Sequence, residues 1–358
     1  MLKQAPLEQT DDIRIADIRK LDPPADILAE LPRTTRATRT VSESRHAIHE
    51  ILNHRDDRLV VVIGPCSIHD PEAALDYAGR LAALRQRHRD ELEIVMRVYF
   101  EKPRSTVGWK GLINDPHLDG SFAISDGLRM ARRTLLEIND LDLPAGCEFL
   151  DMTVPQYITD LVAWAAIGAR TTESQIHREM ASGLSCPVGF KNGTGGDVKI
   201  AVDAVVSAMQ PHHFLAVTKD GDAAVARTTG NDDAHIILRG GKAPNFDVAS
   251  VDAACQMMEA SGVQPAVVID ASHANSGKDP ARQTAVVDDV AGQIAGGEPC
   301  IVGVMVESHL LGGRQDHIVG QPLTYGQSIT DGCLDWDRSV RLVDGLATAV
   351  ARRRAAAA

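Results

Sequence analysis

LVVVIGPCSIHDP, residues 59–71, begins as a strand and ends as the start of a helix. Five apolar residues, Leu59 to Ile63, are too few for an independent helix. Their valine and isoleucine content reads as a strand buried on both faces, as in parallel sheets. Gly64-Pro65 breaks the run, and Cys66 is the first side chain with chemistry at the strand's carboxyl end. Asp70-Pro71 supplies an N-cap and a first-turn proline, and Ala74, Tyr77, Ala78, Leu81 and Leu84 mark one face of the helix that follows. This is the first half of a β/α unit, and it puts a thiol where such units carry their working residues.

The same pattern recurs along the chain. EIVMRVYF (93–100), GCEFL (146–150), IGARTT (167–172), PVGFKN (187–192), HIILRGG (235–241), PAVVIDAS (265–272) and CIVGVMVES (300–308) read as seven further strands. Between them, helices are expected at 121–138, after Thr153 and Pro155, before Gly183, and after the caps Asp197, Asp247 and Asp279-Pro280, with a last one from near Asp337. Eight buried strands alternating with helices predict a (β/α)8 barrel over 46–358. Two elements depart from it. Residues 1–45 form a polar arm broken by Pro6, Pro23-Pro24 and Pro32, with DDIRIADIRK (11–20) its amphipathic piece. Residues 212–229, HHFLAVT and AAVARTT about KDGD, read as an inserted β-hairpin before the sixth strand. The patternless connection EKPRSTVGWKGLINDPHLDG (101–120) is long enough to expect a function.

Composition narrows the classes. A chain of 358 residues with net charge −12 suits one large α/β domain and disfavours nucleic acid or an anionic membrane as partner. No apolar run approaches the roughly 18 residues of a membrane span, and the N-terminus lacks a signal-peptide core. A cytoplasmic enzyme is expected, with its six cysteines (66, 147, 186, 255, 300 and 333) reduced.

The strand ends carry one type of residue. Arg97, Lys102, Arg170, Lys191 and Arg239 would crowd one mouth of the barrel with Glu148 the one carboxylate mapped beside them, a repulsion that an anionic ligand relieves. Cys66, His273, Glu307 and Asp331 form a second set, whose thiolate, imidazole and carboxylates suit a divalent first-row ion such as Mn, Fe, Co or Zn better than Mg or Ca. A metal beside a phosphate-binding cluster implies carbonyl or water activation on a phosphorylated substrate.

GPCSIHDP (64–71), RVYFEKPRSTVGWKGLINDP (97–116), GARTTESQ (168–175), PVGFKNGT (187–194), HIILRGG (235–241), SHANSGK (272–278) and GVMVESHL (303–310) resemble, in order, the class I microbial 3-deoxy-D-arabino-heptulosonate 7-phosphate (DAHP) synthases. The resemblance runs from about Asp11 to the C-terminus. It implies a metal-dependent condensation of phosphoenolpyruvate with erythrose 4-phosphate, the first step of the shikimate pathway, in a homodimer or homotetramer with one divalent metal per subunit. Cys66, His273, Glu307 and Asp331 are implied as metal ligands. Arg97, Lys102, Glu148, Ala169 through its backbone, Arg170, Lys191 and Arg239 are implied around phosphoenolpyruvate, and Arg104 and Ser105 at the phosphate of the aldose. For the mechanism, Lys102 is the expected proton donor to the new alkoxide, and water adds at C2 with the help of either Glu148 or the metal site to which Cys66 and His273 belong.

The resemblance also assigns the arm and hairpin to an inhibitor site for an aromatic amino acid, with the arm of one subunit reaching another. Matching positions are Asp11, Asp12 and Ile15 on the arm, Pro155, Gln156, Leu184 and Ser185 on the barrel, and Phe214 on the hairpin. Ala216 and Ala226 depart from the serine and valine typical of the phenylalanine-sensitive form. The nearest competing reading is 3-deoxy-manno-octulosonate 8-phosphate synthase, which carries a different loop in place of KPRS. A silent sensor barrel is the second, and the full sets of ligand-type and cationic residues argue against it.

Overall fold

A computed structural model describes residues 9–104, 108–318 and 320–357. Ten strands lie among these residues: β1 Leu59–Gly64, β2 Leu92–Arg97, β3 Ala145–Glu148, β4 Trp164–Ile167, β5 Val188–Lys191, β6 His213–Val217, β7 Ala223–Arg227, β8 Ala234–Leu238, β9 Val267–Asp270 and β10 Ile301–Glu307. All but β6 and β7 close one parallel barrel, each strand paired with the next barrel strand in sequence and β10 returning to β1. The helices are α1 Pro24–Glu30, α2 Thr35–Leu52, α3 Pro71–Arg87, α4 Ile124–Asp140, α5 Pro155–Ile158, α6 Gln175–Ala181, α7 Lys199–Ala208, α8 Val248–Ala260, α9 Gln283–Ala295 and α10 Trp336–Ala357.

The opening stretch folds as its sequence dictates. All six residues of β1 are buried. Asp70 accepts from the Glu72 and Ala73 amides, Pro71 occupies the first turn of α3, and Ala74, Tyr77, Ala78, Leu81 and Leu84 face the core.

Side chains alternate faces along a strand, and this alternation builds the site. The outward residues Val61, Ile63, Ile94 and Met96 pack under the helices. The inward ones, Val60, Val62, Val95, Trp164, Ile237, Val268 and Met305, fill the barrel's own core. Continuing the inward row by two residues reaches Arg97, Arg239, Asp270 and Glu307 at the carboxyl ends. Apolar filling thus carries a ring of charge at one mouth.

Three expectations need correction. The fourth strand is Trp164–Ile167 rather than 167–172, because the apolar run WAAI lies earlier and residues 168–173 form a turn. The helix after Pro155 is a single turn continued by a 3-10 turn at Thr159–Leu161. The arm does not end at residue 45. Thr34 caps α2 by accepting from the Ala37 amide, and the helix runs unbroken to Leu52, burying Ile48, Ile51 and Leu52 with the inward residues of the barrel. Its apolar spacing closes the barrel floor, so the unpacked arm is confined to the residues before α1, where Ile13, Ile15 and Ile18 are all exposed.

Cysteine pairing is a fourth correction. Cys255 on α8 and Cys300 just before β10 form a disulfide, with Cα atoms 6.6 Å apart, while Cys66, Cys147, Cys186 and Cys333 are free and buried. Two buried cysteines 45 residues apart meet where α8 packs near the base of β10, a proximity that compartment arguments do not see. No helix among the described residues is long and apolar enough to cross a membrane.

Candidate active site

Lys102, Arg104, Glu148, Ala169, Arg170, Lys191, Arg239, His273, Glu307 and Asp331 line one cavity at the carboxyl-terminal mouth of the barrel. Cys66 and Arg97 lie buried at its base. Ser105 falls outside the described residues.

The five cations are not uniformly unpaired, which revises the crowding expected from sequence. Arg97 is fully buried. Its Nε donates to the Pro65 carbonyl (3.1 Å), Nη2 donates to the Cys66 carbonyl (3.2 Å) and lies 3.0 Å from Glu307 Oε1, and its plane stacks on Tyr99 at 3.6 Å. Lys191 Nζ donates to Asp270 Oδ2 (2.9 Å). Lys102 Nζ donates to Cys66 Sγ (3.0 Å) and lies 3.7 Å from Asp331. The side chains of Arg104, Arg170 and Arg239 hydrogen-bond, among the described residues, only to backbone carbonyls, of Trp109, Pro103 and Gly240. Among the described residues these three guanidiniums have no carboxylate partner. Burial draws Arg239 below its ordinary value, with Asp270 opposing and the like charge of Arg170 adding to the fall. Neighbouring planar forks with open donors are suited to a multiply charged oxyanion.

The second set assembles on the other side. Donor atoms of Cys66, Glu307 and Asp331 lie within 4.8 Å of one another. His273 lines the same cavity but stands outside that tight group, its Nδ1 turned to Asp270 Oδ2 (2.9 Å) and Ser272 Oγ (2.8 Å). Burial pushes the Cys66 thiol up to about 11, with Glu307 adding to the rise and Lys102 opposing it. Burial alone would raise Glu307 and Asp331 too, but the first is held down by Arg97, His273 and Lys102, and the second by Lys102 and the hydrogen bond from Cys66. Glu307 Oε1 is buried without a hydrogen bond, because the nearby Arg97 N–H groups do not point at it. An orphaned carboxylate oxygen beside a thiol and a second carboxylate fits a divalent cation with borderline-soft preferences.

Sequence matches follow the geometry. The sequence model of the DAHP synthetase I family matches residues 34–344. The phenylalanine-sensitive phospho-2-dehydro-3-deoxyheptonate aldolase of Escherichia coli K12 is 60% identical over 346 residues, 97% of this chain and 99% of that protein. The tryptophan-sensitive enzyme of the same strain is 51% identical over 347 residues, 97% of this chain and all of that protein. The solved structure of the Francisella tularensis SCHU S4 phospho-2-dehydro-3-deoxyheptonate aldolase superposes with a TM-score of 0.93 at 49% identity, covering 95% of this chain and 99% of that one.

The chain belongs to the DAHP synthetase I family. As a DAHP synthase it is an enzyme.

Two features of this DAHP synthase site escaped the sequence reading. Asp270 and Gln283 are both fully buried, the first holding Lys191 and His273, the second holding the Glu307 backbone through its amide and carbonyl. Asp270 could have been found by counting two residues on from the inward Val268; Gln283 sits at the start of α9, where nothing local marks it. A Cβ at Gly168 would meet Glu148 Oε1, so a larger residue there would have to displace the end of that side chain.

Glu101 lies beside this set, buried, its Oε2 without a partner. Burial first, then Asp151 and Glu148, pushes its carboxyl up to about 8 from 4.5. The folded state therefore holds this proton more tightly than the unfolded chain. Its contribution to stability is full below about pH 4.5 and is lost as pH rises through about 8. Glu101→Gln is expected to leave urea unfolding unchanged near pH 4.5 and to stabilise the fold, on the order of 1–3 kcal/mol, at about pH 9. Equal midpoints of the two proteins at the higher pH would refute the buried neutral acid.

A separate pocket joins Met152, Pro155 and Gln156, Leu184 and Ser185 in the loop after α6, and the hairpin residues Phe214, Ala216 and Ala226. Of these eight, all but Met152 are positions anticipated from the sequence. Asp11, Asp12 and Ile15 do not line that pocket within the chain and are exposed. Across the hairpin, Leu215 faces Val225 on the opposite side, 83% and 68% exposed.

Proposed function

We propose that this DAHP synthase joins C3 of phosphoenolpyruvate to the aldehyde carbon of erythrose 4-phosphate, water adding at C2 and inorganic phosphate leaving by C–O cleavage. The observation that carries this reading is the meeting, in one cavity, of three carboxylate-free guanidiniums with a thiol and carboxylate cluster. Arg170, Arg239 and Lys191 bind the phosphate and carboxylate of phosphoenolpyruvate, with Arg97 fixing the floor beneath and the Ala169 backbone and Glu148 closing the side. Arg104, with Ser105, takes the phosphate of the aldose. Cys66, His273, Glu307 and Asp331 hold one Mn, Fe, Co or Zn ion, which when bound supplies Lewis-acid polarisation of the aldehyde. Lys102 delivers the proton to the oxygen that was the aldehyde carbonyl. Glu148, a carboxylate lining the same cavity, orients the attacking water.

Regulation belongs to the same reading. The pocket behind the hairpin takes an aromatic amino acid, and the exposed Ile13, Ile15 and Ile18 stripe of a second subunit's arm completes it, in a homodimer or homotetramer. Replacement of larger side chains by Ala216 and Ala226 widens the pocket for the effector. The cytoplasm is the compartment that this pathway step implies.

One assay tests the whole. With manganese and phosphoenolpyruvate, phosphate release is expected with erythrose 4-phosphate and not with arabinose 5-phosphate, to be abolished by a chelator and to fall with one of phenylalanine, tyrosine or tryptophan. Turnover of the pentose phosphate would instead assign the neighbouring eight-carbon synthase activity, and indifference to all three amino acids would reduce the arm and hairpin to an assembly interface.

A further inference from the structure

We propose that Asp270 is a positioning residue that couples the anion-binding half of the site to the metal-type half. The inference rests on the site reading above and adds a residue to it. A single oxygen, Oδ2, lies 2.9 Å from both Lys191 Nζ and His273 Nδ1, while Oδ1 accepts from the Ser272 amide at 3.0 Å. The carboxylate is wholly buried at the end of β9, on the inward row that continues from Val268. It is fully buried and does not line the mouth cavity, so it acts through the two groups it holds.

Each contact fixes something the chemistry needs. A carboxylate only accepts, so the imidazole donates from Nδ1 and leaves Nε2 as the nitrogen with a free lone pair. His273 sits at φ 55°, a left-handed conformation that a non-glycine side chain adopts only when its surroundings hold it there. Asn275 braces the same turn, its Nδ2 donating to the Asp270 and Leu238 carbonyls. Lys191 spends one of its three N–H donors on Asp270, which aims the remaining two at an anion in the cavity it lines.

Displacing Asp270 therefore disturbs both halves, whereas removing Lys191 disturbs one. Two binding measurements that need no turnover test this: phosphoenolpyruvate affinity of metal-free protein by calorimetry, and Mn(II) affinity without substrate by electron paramagnetic resonance. Asp270→Asn is expected to weaken Mn(II) binding roughly 10–100-fold, the range for a partner of a ligating histidine, and phosphoenolpyruvate binding about tenfold. Lys191→Met is expected to lose phosphoenolpyruvate binding and keep Mn(II) affinity. An Asp270→Asn protein that loses only one affinity, or neither, overturns the coupling. Should that variant not fold, the wild-type protein loaded with zinc and labelled with 15N-histidine gives the answer. A spectrum with His273 protonated at Nδ1 and metal-shifted at Nε2 supports the proposal, and the reverse assignment overturns it. A Cys66→Ser protein that keeps wild-type Mn(II) affinity fails the site reading itself, a result separate from failure at Asp270.

Discussion

Cys66→Ser is expected to cost the enzyme more metal affinity than the roughly 10–100-fold lost when a partner of a ligand is removed, and to abolish most turnover. The substitution is nearly isosteric and keeps a hydrogen-bonding side chain at the end of β1. What it removes is the soft donor. Sγ accepts from Lys102 at 3.0 Å and donates toward Asp331 Oδ2 at 3.4 Å, so a serine hydroxyl can satisfy both neighbours without moving the backbone. Fold stability is accordingly expected to change little, since β1 is held by parallel pairing on both sides and by a fully apolar environment. The two consequences can then be separated: a calorimetric Mn(II) titration reports the affinity, and phosphate release at saturating Mn(II) reports what catalysis remains. Hydroxyl oxygen is a poor ligand unless ionised, and in a buried site next to Glu307 its ionisation is unfavourable. A serine variant with wild-type Mn(II) affinity would remove Cys66 from the ligand set. Full activity of chelator-treated wild-type protein would remove the metal from the reaction.

The barrel was legible because its signal is local. Short β-branched runs, each followed by a polar turn and an amphipathic helix, are fixed by strand burial and helix periodicity, and both can be counted in the sequence. The fourth strand was misplaced for a related reason: Trp164–Ile167 is apolar but short, and the sequence IGARTT beside it has higher β-propensity than its turn conformation uses. The site was legible wherever a charged residue follows an apolar strand, as at Arg97, Lys191 and Glu307. It was not legible where the partner comes from elsewhere in the chain. The pairing of Lys191 with Asp270 spans 79 positions, and that of Cys66 with Asp331 spans 265, so only the closed barrel shows which cations are already neutralised. The floor helix α2 was hidden differently, its apolar positions being interleaved with arginine and histidine that a compositional reading assigns to an exposed arm.

Lys102→Met is expected to lower turnover by about 10²–10⁴-fold, the usual worth of a positioned acid or base, without weakening metal binding. The two outcomes run in opposite directions because of where the ammonium sits. Its Nζ lies 3.0 Å from Cys66 Sγ and 3.7 Å from Asp331, inside the group that would surround a divalent ion. Two cations so close repel, even at the higher effective dielectric of a partly hydrated site. Methionine keeps the length and much of the apolar stem while deleting the charge, so the carboxylates and thiol are left to the metal, and Mn(II) affinity is expected to hold or rise. Proton delivery has no such substitute, since Arg104 and Arg170 keep their protons throughout the physiological range. Lys102→Arg separates charge from proton transfer: it preserves a cation at this position but supplies a guanidinium too weakly acidic to donate. Recovery of wild-type turnover in the arginine variant would reduce Lys102 to an electrostatic brace, and undiminished turnover in the methionine variant would exclude it from the chemistry. Impairment of both, with metal binding intact, is the pattern that a proton donor at the junction of the two half-sites requires.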